Sequence, residues 1–211
     1  PVVAPDQLQG ASSSSASGWT PTLAIKGIMG LNKQLRNELL SMQKEDQQVL
    51  QELIDSGELG TTEYHPKMKA VHEKNNARIK GIINQYEWPG FSAVGKEGSE
   101  AAWLIVQHAV LDTEFMDKCL PLLRDATIQG EAEGWCLAFL QDRVLTMTDK
   151  PQIYGTQHDI DENGIAYPLP IAEPEKVEAL RKEVGLESLS DATKRIQERH
   201  NTTVGNRENN G

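Results

Sequence analysis

The chain has 211 residues, 38% of them hydrophobic and 25% charged, with a net charge of −10 and a pI near 5.0. One domain is the default at this length, and it is long enough to bury a core without disulfides or metal. Lys and Arg are scattered with no basic stripe, which argues against nucleic-acid backbones and anionic membrane surfaces as partners. No apolar run approaches the ~18 residues of a membrane span; the longest, Ala101 to Leu111, already contains Gln107 and His108.

The first eighteen residues, with Ser12 to Ser15, Ser17 and Gly18, have a linker-like composition and read as a disordered arm. Such an arm after a removed export signal places export slightly ahead of a cytosolic location. The folded part, about 185 residues, is expected from Trp19 to about residue 200, with a polar tail at 201–211. A first helix follows from Leu31, Leu35, Leu39, Met42, Val49 and Leu53, which recur at three- and four-residue steps and stop at Gly57, with Gly60 in the next loop. Pro66 suits the first turn of a second helix striped by Met68, Val71, Ile79, Ile82 and Tyr86 and broken by Trp88-Pro89-Gly90. The Gly-containing stretch to Gly98 reads as loop.

The third helix, Ser99 to Leu111, is apolar nearly all round and therefore central. A fourth runs through Leu120, Leu122 and Leu123 to Gly130, with Pro121 either splitting it or opening its last part, and a fifth covers Ala132 to Met147. Two β-like runs, Gln152–Gln157 and Ile165–Leu169, flank the Asn163-Gly164 turn signal. Pro174 to Gly185 and Ser190 to about Arg199 give the last two helices. The expected fold is all-α, six to seven helices in one domain, with a small β-hairpin or extended excursion near 152–169.

Polar residues on core-facing positions are the informative ones. Asp46 fills the gap between Met42 and Val49, Asn75 the gap between Val71 and Ile79, and His108 lies on the line Leu104–His108–Leu111 beside Gln107. Asp142 follows Trp135 and Phe139, and Arg143 follows Cys136 and Leu140. Buried charges are costly unless paired, so these groups either meet or line a wet pocket. A carboxylate beside an imidazole makes a general base, and a guanidinium nearby takes an anion. The bland reading is a set of buried pairs that only tie helices together.

The segments Asp46-Gln47, Trp88-Pro89-Gly90, Val94-Gly95, Ala101-Ala102-Trp103, Gln107-His108, Asp142-Arg143, Gln152-Ile153-Tyr154-Gly155-Thr156-Gln157 and Arg181 with Gly185-Leu186 occur in that order. In this the chain, over about residues 30–190, resembles a bacterial family catalogued only as a domain of unknown function. It departs slightly from the family pattern at Glu87, where Gly or a similar residue is common. The resemblance implies no reaction. It does imply that the family's motif residues coincide with the misplaced polar ones, and it adds Tyr154 and Gln157 as hydrogen-bonding groups.

Other motifs weigh less. Asp159 to Gly164 copies the start of a calcium loop, but Pro170 stands where a bidentate Glu belongs. His108 and Asp112 lie four apart without a second His-rich element, and Cys119 and Cys136 lack zinc spacing, so no metal and no organic cofactor is assigned. A disulfide between the two cysteines stays open, with buried thiols the commoner outcome. Two functions follow. One is a small hydrolase-like enzyme with His108 as general base, oriented by Asp142 or Asp46, and Asp46, Gln107, Arg143, Tyr154 and Gln157 around a small polar substrate. The other is a binding or interaction protein whose polar network is structural and whose acidic surface meets a protein partner.

Overall fold

The structure is a computed structural model that describes residues 30–58 and 64–208. The expected arm at 1–18, the expected fold start near Trp19 and the loop at Gly60 lie outside these residues. Seven helices and one two-stranded antiparallel hairpin follow one another: α1 (Lys33–Asp55), α2 (Pro66–Tyr86), α3 (Phe91–Gln107), α4 (Thr113–Ile128), α5 (Gly134–Met147), β1 (His158–Ile160), β2 (Ala166–Pro168), α6 (Val177–Glu183) and α7 (Leu189–Glu208). None of the described helices is long and apolar enough to cross a membrane.

α1, α2 and α4 start where a side chain satisfies one of the first free N–H groups. Asn32 Oδ1 accepts from Leu35 N (3.0 Å) and Asp112 Oδ1 from Phe115 N (3.1 Å), while Pro66 opens α2. Pro121 lies inside α4 and does not split it. The helix α7 runs to Glu208, past the expected end near Arg199, so the segment after Asn201 continues the helix.

Ala101 to Val106 on α3 are all buried, which confirms its central place. α1 packs along it in parallel. Asn32 N donates to Ala93 O (2.7 Å) at one end, and Asp46 meets His108 at the other. α2 lies antiparallel to α1, with Arg78 on Glu38, Lys74 on Glu45 and His72 on Asp46. α4 and α5 form the other pair, and Cys119 and Cys136 sit there as free buried thiols.

The expected loop before Gly98 is helical instead. α3 begins at Phe91 and kinks at Gly95, whose φ of 73° and ψ of 167° a side-chain-bearing residue rarely adopts. Gly98 is there for contact: a Cβ would stand 2.9 Å from Val94 Cβ and 3.3 Å from Arg36 Cγ. Gly98 serves close packing and Gly95 a kink within the element; neither reverses the chain.

The stripes also end earlier than the periodicity suggests. Leu111 is 55% exposed and Tyr86 is 36% exposed, because α3 stops at Gln107 and α2 turns away into Trp88. In the hairpin, His158 pairs with Pro168, Asp159 with Tyr167 and Ile160 with Ala166. Asp161 Oδ1 accepts from Asn163 N (2.9 Å) and Ile165 N (2.8 Å), so the calcium-like string is a self-bonded turn. The expected first strand, Gln152–Gln157, is an irregular segment touching Ile171 through one bridge at Gln152.

Candidate functional site

Three helices bring Asp46, His72 and His108 to one point. Asp46 sits on the buried stripe of α1, His72 on the inner face of α2, and His108 caps the C-terminus of α3. His108 Nδ1 lies 2.9 Å from Asp46 Oδ1 and 3.0 Å from Oδ2. An ionised carboxylate only accepts, so the proton of this bond belongs to Nδ1 and the His108 lone pair is on Nε2. That atom is buried and has no hydrogen-bond partner. His72 Nε2 stands 3.0 Å from Asp46 Oδ2, and its ring lies 4.9 Å from that of His108. This is an ion-pair distance without the direction of a hydrogen bond, since His72 Nε2 has no directed partner. On its other side, His72 Nδ1 is met by the Tyr64 hydroxyl. Tyr64 is 38% exposed, so the cluster lies one side chain beneath the surface.

The charges follow from these contacts. Burial pushes the Asp46 carboxyl up, but the hydrogen bond of His108 and the close imidazole of His72 outweigh it and hold Asp46 well below the usual carboxylate range. Burial pulls His108 below the ordinary imidazole value in spite of Asp46. The pair is thus a carboxylate and a neutral imidazole near neutral pH. Burial, with the Asp46 charge, raises the Tyr64 hydroxyl, which stays protonated and donates to His72.

Arg143 on α5 is buried, and its Nε and Nη2 have no partner. Burial brings its pKa down to about 10, so it is a cation at neutral pH. The Arg143 charge is felt at both His108 and Tyr64. Gln107 Nε2 donates to Phe139 O (3.3 Å), one helical turn before Arg143, and Gln107 Oε1 is unpartnered. Asn75, one turn beyond His72, is buried with neither amide atom bonded.

Asp142 stands elsewhere. It makes no hydrogen bond or ion pair with His108; the carboxylate that orients the imidazole is Asp46. Asp142 Oδ1 accepts from Ile153 N (2.8 Å) and Tyr154 N (3.1 Å). Its Oδ2 accepts from Thr156 N (2.9 Å) and Thr156 Oγ1 (3.0 Å). Gln152 holds the same segment from the other side, accepting from Gln157 N and donating to Gln157 O and Leu169 O, each at 2.8 Å. Arg181 closes the knot by donating to Tyr154 O (2.7 Å) and Glu187 O (2.7 Å). Tyr154 and Gln157 belong to this knot: Gln157 Nε2 donates to Thr156 Oγ1 (3.0 Å). Among the described residues no hydrogen bond joins the knot to the histidine cluster.

Of the residues singled out from sequence, Asp46 and His108 are bonded together, with Gln107 and Arg143 on adjoining helices. Asp142, Tyr154 and Gln157 form the second group. His72 and Tyr64 escaped sequence reasoning. The signal for His72 was present, since it stands four residues after Met68 and seven before Ile79, on the buried face of α2.

Asp46, His72 and His108 each offer one ligand atom within 4.8 Å of the others. Two imidazoles and a carboxylate form a donor set that suits a divalent transition metal. The same atoms without a metal form an oriented base. A family model described as a family of unknown function (DUF6624) matches residues 33–204. No curated protein and no solved structure matches the chain.

Proposed function

The chain belongs to that family of unknown function, and we propose from its site that it is a small hydrolase-like enzyme in which His108 is the general base. One observation carries the proposal. His108 is fixed through Nδ1 by Asp46, while its basic Nε2 is buried and unpartnered. An unsatisfied buried polar atom costs about 1–3 kcal/mol. His108 Nε2, Gln107 Oε1, both Asn75 amide atoms and two Arg143 nitrogens are buried without a protein partner. A network that only tied helices together would pair these atoms with one another, which disfavours the purely structural alternative.

The chemistry follows from the geometry. Nε2 takes a proton from water as the water oxygen attacks an electrophilic acyl or phosphoryl centre. The Asp46 carboxylate stabilises the imidazolium that forms. The proton then passes from Nε2 to the leaving group, which restores neutral His108. His72, backed by Tyr64, faces the second Asp46 oxygen and keeps the carboxylate in place. Arg143 and Gln107 bind the substrate on the α5 side, with Arg143 facing the negative charge that develops. Asp142, Tyr154 and Gln157 support α5 from the knot behind it.

A second reading is favoured by the undirected His72–Asp46 contact. Three donor atoms converging on one point would also hold a divalent cation, whose bound water would then be the nucleophile.

The test is hydrolysis of p-nitrophenyl acetate and p-nitrophenyl phosphate by the wild type and by His108→Gln and Asp46→Asn, each with EDTA and with added zinc. General-base catalysis contributes roughly 10²–10⁴ in rate, so His108→Gln is expected to lose that much with EDTA making no difference. Full activity in His108→Gln sinks the proposal. Activity abolished by EDTA and restored by zinc replaces it with the metal reading.

A further inference from the structure

Several of the described arginines have specific acceptors. Arg36, Arg78 and Arg195 meet glutamates on the surface. Arg181, at 2% exposure as buried as any, spends its guanidinium on the carbonyls of Tyr154, Gly155 and Glu187. Arg143 is equally buried at 4% and is left without such bonds at Nε and Nη2. The two fully buried carboxylates of this region are already engaged: Asp142 accepts from the backbone of 153–156, and Asp46 from His108.

The free atoms are also the informative ones. Nε and Nη2 form the side-on edge of a guanidinium, two parallel N–H bonds at the spacing of two oxygens on one carbon or phosphorus. An isolated buried charge is strongly disfavoured, and a bound oxyanion would supply both the missing acceptors and the missing charge. Arg143 lies within electrostatic reach of His108, and Gln107 reaches Phe139 O one turn away from it. We infer that the Nε/Nη2 edge of Arg143 is a binding site for a carboxylate or phosphate group, and that the molecule turned over at His108 carries such a group. The site itself stands on the arginine's geometry; only its role in turnover rests on the acid–base reading.

The experiment is an NMR titration of the full-length ¹⁵N-labelled chain, following the Arg143 Nε–Hε signal, assigned by its loss in Arg143→Lys. Inorganic phosphate and acetate are the probes, with chloride at matched ionic strength as the control. A saturable shift with phosphate, acetate or both, and none with chloride, is the expected result. A shift with one anion alone identifies the group as a phosphate or a carboxylate; a shift with both marks a site for either. A lysine offers a point charge in place of the fork, so Arg143→Lys is expected to bind the same anion about tenfold or more weakly. His108→Gln is expected to bind it unchanged. No saturable shift with either anion overturns the inference, whether or not Arg143→Lys folds. Anion binding retained while His108→Gln still hydrolyses the p-nitrophenyl esters overturns the acid–base reading alone.

Discussion

Asp142 and Arg143 are neighbours on α5 with different surroundings: the carboxylate accepts three backbone N–H bonds from Ile153, Tyr154 and Thr156, while the guanidinium is buried with Nε and Nη2 unpartnered and its charge felt at His108. Successive helical residues are turned by about 100°, so one dipeptide serves a structural knot and a candidate site at once. The knot gives α5 a rigid back, and a side chain aimed from a rigid element holds its direction.

Removing that anchor separates the two roles. Asp142→Asn replaces one accepting oxygen with an NH₂ that faces N–H donors. Stability should fall by on the order of 3 kcal/mol. Urea unfolding measures the loss, and amide exchange at Ile153, Tyr154 and Thr156 should accelerate more than exchange in α1. Exchange rising equally in both would mean that the carboxylate does not pin this segment.

Acid should weaken the fold, and the sign follows from the buried histidines. Burial holds His108 below the ordinary imidazole range and brings His158 down to about 4 from 6.5. Between those values the unfolded chain binds protons that the folded chain refuses, so stability falls as pH drops from 6.5 towards 4. Asp46, held below the ordinary carboxylate value of 3.8, adds a further loss below that pH. Urea midpoints of the wild type should decline from pH 7 to pH 4. His158→Gln, which keeps a polar group near Thr193, should decline less over the same range. Parallel curves would remove His158 from the account.

Glu87 occupies a backbone that glycine prefers. It caps α2 with φ of 58° and ψ of −137°, a region costing a side-chain-bearing residue about 1–3 kcal/mol. Glu87→Gly is expected to stabilise the chain by about 1 kcal/mol, after the greater unfolded-state freedom of glycine offsets part of the relief. A lower melting temperature in the variant would contradict this.

Much of the frame was legible in the sequence because helices advertise themselves by period. The stripe of α1 even marked Asp46 as a polar residue on an apolar line. The start of α3 was hidden because Gly95 and Gly98 read as punctuation, although they answer to Val94, Arg36 and a kink. His72 was hidden because Val71 beside it already satisfied the stripe. The partner of Asp142 was beyond reach for a different reason. Its acceptors are filled by backbone N–H groups of an irregular segment, which no side-chain pattern records, whereas an imidazole is visible in the sequence and draws the eye.

The central claim is that His108 is a neutral imidazole with its proton on Nδ1, held by Asp46, and its lone pair free on Nε2. The ¹⁵N signals of that ring at pH 7, compared between the wild type and Asp46→Asn, test it most directly. The account predicts a protonated Nδ1 and an unprotonated Nε2 in the wild type, unchanged by EDTA, with the preference lost in Asp46→Asn. A proton on Nε2 in the wild type, or a pattern that EDTA alters, would contradict it.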